Sequence, residues 1–333
     1  MSVVRNHSEL HLGKNIFSPR EYAPKILQII PRVKFDHYGM EIWNLYELFW
    51  LNYDIPVAAR GVLYIDRSSE FIVESKSLKL YLNSLNNFDT HAENTEKSRA
   101  IIHQIILNDL SKLLGDKVKL SILNLEKPKL LAEPLGISLD ENCGLSADNF
   151  IDENYGLSAD NSINNSTIIQ PGFINDTKQS VDIKQNYESI DQCENTKKFK
   201  QILQKHFVDY ITKVFGHQPN CILYSNLSKS NCPVTNQPDF ATIIIASDQN
   251  IKSSQLKQIW DHIISQRDTN KFHETCADEL FHLVNSILLQ SNPTSFQKLL
   301  VCAHYLRRGG IDICPYRSNF EIDTLETVYF VRQ

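Results

Sequence analysis

The stretch CILYSNLSKSNCPVTNQPDFATIIIASD, residues 221–248, decides the architecture. Its flanks, CILYSNL (221–227) and FATIIIASD (240–248), are rich in β-branched and aromatic residues, so they predict two strands. Between them lies a polar connection carrying two prolines, Pro233 and Pro238. Toward the C-terminus, SSQLKQIWDHIISQ (253–266) and FHETCADELFHLVNSILLQ (272–290) predict helices. In the second of these, Phe272, Cys276, Leu280, Val284 and Ile287 recur at intervals of three and four, marking one buried stripe. KLLVCAHYLRRGG (298–310) and LETVYFVRQ (325–333) predict closing strands. The order strand, strand, helix, helix, strand, strand is that of an α+β unit, an antiparallel sheet with helices on one face.

The first half of the chain repeats much of this order. IWNLYELFWL (42–51) and PVAARGVLYIDR (56–67) predict strands, and FIVESKSLKLYLNSL (71–85) opens with strand-like alternation. EKSRAIIHQIILNDLSKLLG (96–115) carries helical spacing and a closing glycine, and KVKLSILNL (117–125) alternates as a strand. Two α+β units in tandem suit a chain of 333 residues, which is too long for one typical domain. Hydrophobic residues at 42% and charged residues at 22% are ordinary for a globular protein with real cores.

The middle of the chain has a different composition. Residues 131–198 hold 9 Asn, 7 Asp and 7 Ser, with 12 acids, 4 lysines and no arginine, a net of −8 that leaves +3 for the rest. Within it DENCGLSADN (140–149) recurs as DENYGLSADN (152–161). Two polar copies are too few for a stacked solenoid, so a duplication in a tolerant loop and a flexible insert around 136–174 are expected. The expected division is 1–130, a linker at 131–198, and 199–333, where an amphipathic segment at 197–216 leads into the second unit.

Charge and motif content exclude several classes. A net charge of −5 argues against a protein that coats a nucleic-acid backbone. No run reaches the ~20 apolar residues that span a bilayer, and MSVVRNHSELHLGK (1–14) lacks the apolar core of a signal peptide. Seven irregularly spaced cysteines without a Cys-x-x-Cys pair point to reduced thiols in the cytoplasm. No Gly-x-Gly occurs among eleven glycines, which removes the Rossmann and P-loop fingerprints. No Gly-x-Ser-x-Gly elbow and no His-Glu-x-x-His helix are present.

Four segments carry side chains capable of chemistry. KSNCPVTNQPDF (229–240) presents Cys232 on a loop shaped by prolines, with Asp239 as a possible proton carrier; a buried thiol with a turn-capping Asp is the plainer reading. His273-Glu274 opens a helix, where an acid is favourable against the helix dipole, and a metal is not expected there. Glu74-Ser75-Lys76-Ser77-Leu78-Lys79, read as a strand, offers lysines and hydroxyls for phosphate oxygens, or simply guards a sheet edge. Arg307-Arg308-Gly309-Gly310 pairs guanidinium groups with backbone that permits close approach, and equally suits a hairpin turn.

Taken together and in order, ESKSLKLYLNS (74–84), KSNCPVTNQPD (229–239), FHE (272–274) and RRGGIDICPYRSN (307–319), with IWNLYELFWLN (42–52), resemble the motifs of the NADPH-dependent 7-cyano-7-deazaguanine reductases, the QueF-type nitrile reductases, in their long two-module form. The resemblance implies two tandem tunnelling-fold units and reduction of a nitrile to a primary amine with two NADPH, in the route to queuosine in tRNA. It implies Cys232 as nucleophile, Asp239 as proton carrier and His273 as positioning group. Val73, Glu74, Ser75, His273 and Glu274 would hold the substrate; Ser75, Lys76, Arg308 and Gly309 would hold NADPH, with Lys79 and Arg307 near its 2′-phosphate. No metal, no direct contact with nucleic acid or membrane, and a homodimer are implied. Rival readings are a thiol-dependent nitrile hydrolase and a non-catalytic purine- or pterin-binding protein of the same fold.

Overall fold

Strands in both halves carry apolar residues on both faces, so the sheet they form must be covered on both sides. In the computed structural model, residues 2–3, 10–11, 13–34, 36–124, 131–132, 137–138, 194–292, 296–306, 309–322 and 329–330 are described. The strands are β1 (Ser2–Val3), β2 (Gln28–Pro31), β3 (Tyr38–Asn52), β4 (Ile55–Asp66), β5 (Phe71–Val73), β6 (Val118–Asn124), β7 (Leu131–Ala132), β8 (Ile137–Ser138), β9 (Cys221–Asn231), β10 (Pro238–Ser247), β11 (Leu299–Tyr305), β12 (Ile311–Ser318) and β13 (Tyr329–Phe330). The helices are α1 (Ser75–Asn83), α2 (Thr95–Leu114), α3 (Glu194–Phe215), α4 (Ser253–Ser265) and α5 (His273–Ser291).

The two units share one sheet, in the order β6-β4-β3-β12-β11-β10-β9-β8. Its seam is the antiparallel pair β12–β3, in register from Ile311 opposite Leu45 to Ser318 opposite Tyr38. All its pairs are antiparallel except β8–β9. On one face, Trp43, Leu45, Leu63 and Ile65 pack with Leu78 and Tyr81 of α1 and Ile102, Ile106 and Leu110 of α2. On the same face farther along, Leu223, Ile243, Ile245 and Val301 pack with Ile259 and Ile263 of α4 and Leu280, Phe281 and Val284 of α5. The helices α1 and α2 of the first unit and α4 and α5 of the second therefore lie on one face of the sheet. The alternate residues Ile42, Val62, Ile222, Ile244, Leu300 and Tyr316 meet Phe207, Tyr210, Ile211 and Phe215 of α3 on the opposite face. Truncating a fully buried Phe such as Phe207 costs about 3–5 kcal/mol, so α3 contributes substantially to holding the junction.

Two expectations are corrected. The segment 74–81 is not a strand: β5 ends at Val73, and Ser75–Asn83 is helical. Its run offers both periods, Leu78-Leu80-Leu82 for a strand and Leu78-Tyr81-Leu82-Leu85 for a helix. The Glu74 carboxylate decides between them by accepting from Lys76 N at 2.8 Å and Ser77 N at 2.6 Å, which caps the helix. The strand after β11 is Ile311–Ser318 rather than 325–333, of which only Tyr329–Phe330 is described, paired with β7. The expected flexible insert at 136–174 lies outside the described residues except for Ile137–Ser138.

Candidate active site

The β9–β10 hairpin places the thiol. Asn231 pairs with Pro238, and Cys232 opens the connecting loop. Cys232 N donates to Gln237 O at 2.9 Å, Asn236 N donates to Cys232 O at 2.9 Å, and Asn236 takes a φ of 54° to close the turn. The segment leading into α5 is laced to this loop: Asn231 N donates to Thr269 O at 2.9 Å and Lys271 N to Asn231 O at 3.0 Å. That lacing brings the first turn of α5, with His273 and Glu274, beside the hairpin.

A cavity of about 580 Å³ opens between the two units. Cys232, Asp239, His273 and Glu274 of the second unit line it, together with Val73, Glu74, Ser75, Lys76 and Lys79 of the first and Gly309 of the β11–β12 turn. Ten of the twelve residues singled out from the motifs for catalysis, substrate or cofactor thus share one cavity. The other two, Arg307 and Arg308, lie outside the described residues. His273 Nε2 stands 3.1 Å from Asp239 Oδ2, and its ring stacks on Tyr305 with centroids 4.0 Å apart. Asp239 and Cys232 are buried yet line the space. Cys232 thus lines the same cavity as a carboxylate and an imidazole, a set of groups suited to covalent addition with proton transfer.

The two glutamates differ in their surroundings. Glu74 is buried with both oxygens on the α1 N-terminus; burial raises its carboxyl pKa, and the backbone N–H groups only partly offset that. Glu274 is raised by burial first and by the nearby Glu41 carboxylate second, while His273 and Arg32 pull the other way. A carboxylate that costs energy to bury unpartnered gains most from a ligand that brings N–H donors.

Beneath Glu274 lies a charge cluster that motif reading did not single out. Arg317, fully buried on β12, donates to Glu41 Oε1 at 2.8 Å, to Asp278 Oδ1 at 2.5 Å and to Glu274 O at 3.4 Å. Arg67 donates twice to Asp278, at 3.2 and 3.1 Å, and Arg32 donates to Glu41 at 2.5 Å. The cluster ties β3, the end of β4, β12 and α5 together across the seam. Its signal in the sequence was an arginine in the strand ICPYRSN and an aspartate on the apolar stripe's helix, neither distinctive alone.

The same cavity also carries cationic side chains beside a glycine turn, a combination able to receive a phosphate-bearing ligand. Gly309 and Gly310 take φ of +57° and +85°, and a Cβ on Gly309 would sit 2.3 Å from Lys79 Nζ. Two lysines, Lys76 and Lys79, thus line the cavity on one side of α1, with Lys79 against a glycine turn that a side chain would obstruct. Among the described residues no group of three or more His, Cys, Asp or Glu is placed to hold a metal ion, and no helix is long and apolar enough to cross a membrane.

A thiol cavity between two α+β units sharing one sheet places the chain in a class, and two family models give that class. The model for nitrile reductase, 7-cyano-7-deazaguanine-reductase N-term, matches residues 17–122, and that for QueF-like protein matches 238–323. An NADPH-dependent 7-cyano-7-deazaguanine reductase of Coxiella burnetii (strain Dugway 5J108-111) is 33% identical over 334 residues, 96% of this chain and 95% of its own length. The Rickettsia typhi protein of the same name is 32% identical over 320 residues, 92% of each chain. That of Rickettsia canadensis is 33% identical over 321 residues, again 92% of each. The chain belongs to the 7-cyano-7-deazaguanine reductase family.

Proposed function

We propose that the protein reduces the nitrile of 7-cyano-7-deazaguanine to the aminomethyl group through a thioimide on Cys232, consuming two NADPH. The observation that carries this reading is the convergence of Cys232, Asp239, His273, Glu74 and Glu274 on one cavity. A nitrile carbon is a poor acceptor of hydride, so the sulfur adds first. Asp239 takes the thiol proton and delivers it to the nitrile nitrogen, giving a C=N bond on sulfur. NADPH supplies a hydride to carbon in each of two reductive steps. After the first, the C–S bond breaks, the thiolate leaves and an imine remains; after the second, a proton from the site completes the amine.

Glu274 and Glu74 accept from the N–H groups of the deazaguanine, with Val73 and Ser75 beside them. His273, held between Tyr305 and Asp239, orients the nitrile and keeps the imine from water. Ser75, Lys76, Arg308 and Gly309 hold NADPH, and Lys79 and Arg307 favour its 2′-phosphate. The same reading includes the three-part division at 130 and 198, a homodimer and a cytoplasmic setting. The last is supported by Cys221, Cys232, Cys276, Cys302 and Cys314, none of which forms a disulfide.

The test is NADPH absorbance with the nitrile as substrate. Two NADPH should be consumed per nitrile, NADH should serve poorly, and Cys232→Ala should stop turnover while leaving the fold intact. Nitrile loss without NADPH consumption would indicate hydrolysis instead.

A further inference from the structure

Arg32 and Trp43 both line the cavity, and each leaves one buried N–H donor without a partner among the described residues. Arg32 follows β2, and its side chain is only 6% exposed. Its Nη1 donates to Glu41 and its Nε to Phe71 O at 3.3 Å, yet Nη2 is buried with no hydrogen-bond partner. The indole Nε1 of Trp43 is likewise buried and unpartnered, and Trp43 is 1% exposed. Both residues line the cavity. They are neighbours by construction: Glu41 and Trp43 are two apart on β3 and share a face, and Arg32 is bonded to Glu41. Buried donors are nearly always satisfied, so two orphans at one cavity point to an acceptor brought by what the cavity holds.

The substrate reading supplies that acceptor. The pairing edge of a guanine-like base presents a carbonyl oxygen next to the N–H groups that a carboxylate accepts. Glu274 offers the carboxylate, and Arg32 is close enough to Glu274 to influence its charge. We propose that Arg32, assisted by Trp43, is a specificity-determining donor to the 6-oxo oxygen of the substrate, beside Glu274 on the adjoining N–H groups. This assignment rests on the reductase reading above. It makes the site select a 6-oxo ring and reject one that places a hydrogen or an amino group there, because the buried donors would then stay unpaired.

The experiment compares the 6-oxo nitrile with its 6-deoxo analogue in wild type, Arg32→Gln, Arg32→Lys and Trp43→Phe. A charged hydrogen bond to the oxygen predicts that Arg32→Gln lowers kcat/KM for the 6-oxo nitrile about 10- to 100-fold, through KM for the nitrile. The same change should leave the 6-deoxo analogue nearly unaffected, and KM for NADPH should not move. Arg32→Lys should recover part of the loss. Trp43→Phe, which removes one N–H and keeps the packing, should show the same preference at about 3- to 10-fold, and it serves if Arg32→Gln fails to fold. Equal losses on both substrates, or a change confined to KM for NADPH, would make Arg32 a structural or cofactor residue and overturn the proposal. If wild type reduces neither nitrile, the reductase reading itself fails, a distinct outcome.

Discussion

Replacing Asp278 with Asn should weaken the seam between the two units more than any single surface change. Asp278 is buried on α5, and its carboxylate takes three hydrogen bonds from Arg317 and Arg67, at 2.5, 3.2 and 3.1 Å, with His37 Nε2 at 3.0 Å. Asn keeps the shape but removes the charge and turns an N–H group toward donors. Removing one partner of a buried ion cluster costs about 3–5 kcal/mol. With unfolding entropy near 2.1 cal/mol/K per residue over a cooperative unit of roughly 250 residues, that corresponds to a Tm lower by about 6–10 °C. Calorimetry across pH adds a signature specific to charge. Burial disfavours the Asp278 anion, but Arg317, His37 and Arg67 together override it and hold the carboxyl well below its ordinary 3.8. A carboxyl depressed in the folded state stabilises above its unfolded pKa, and that contribution is lost as pH falls. The gap between wild type and Asp278→Asn should therefore be flat from about pH 5 to 8 and narrow below about pH 4. A variant melting within about 1 °C of wild type, or a gap that persists unchanged in acid, would refute the reasoning.

Three further outcomes follow from the site and its surroundings. Burial lowers the pKa of His304 to about 3 from 6.5, so the unfolded chain binds a proton that the folded one refuses. Stability should rise with pH by up to about 1.4 kcal/mol per unit between these values, and His304→Gln should flatten that slope; an unchanged slope in denaturant titrations would contradict it. Gly309→Ala must strain a φ of +57° and displace Lys79, so KM for NADPH should rise several-fold while sulfur addition to the nitrile persists. Stopped-flow binding that shows no change in NADPH affinity would remove the turn from the cofactor site. Asp239→Asn should slow adduct formation about 10²- to 10⁴-fold with the fold retained, and unaltered single-turnover rates would deny it the proton role.

The strands at 42–51, 56–67, 221–227 and 240–248 were legible because β-branched and aromatic runs bounded by turn residues leave few alternatives. ESKSLKLY was not, since its leucines satisfy both periods and a single capping carboxylate decides the outcome. IDICPYRS was missed as a strand because Asp312, Pro315 and Arg317 break its apolar run. Its residues pair with β3, where Asp312 bonds Asn44 and Tyr46 and Arg317 enters the charge cluster. That Cys232, Asp239, His273 and Glu274 would come together was anticipated by motif order, and they line one cavity. Arg32, Glu41, Asp278 and Arg317 acquire meaning only when sequence-distant elements meet, and no local pattern marks them.

The thiol addition itself is tested most directly by intact mass after mixing the protein with 7-cyano-7-deazaguanine in the absence of NADPH. The account predicts a gain equal to the whole nitrile, mapped to Cys232, absent from Cys232→Ala, and discharged as amine when NADPH is added. An unmodified protein that nonetheless reduces the nitrile, or an adduct on another cysteine, would contradict it.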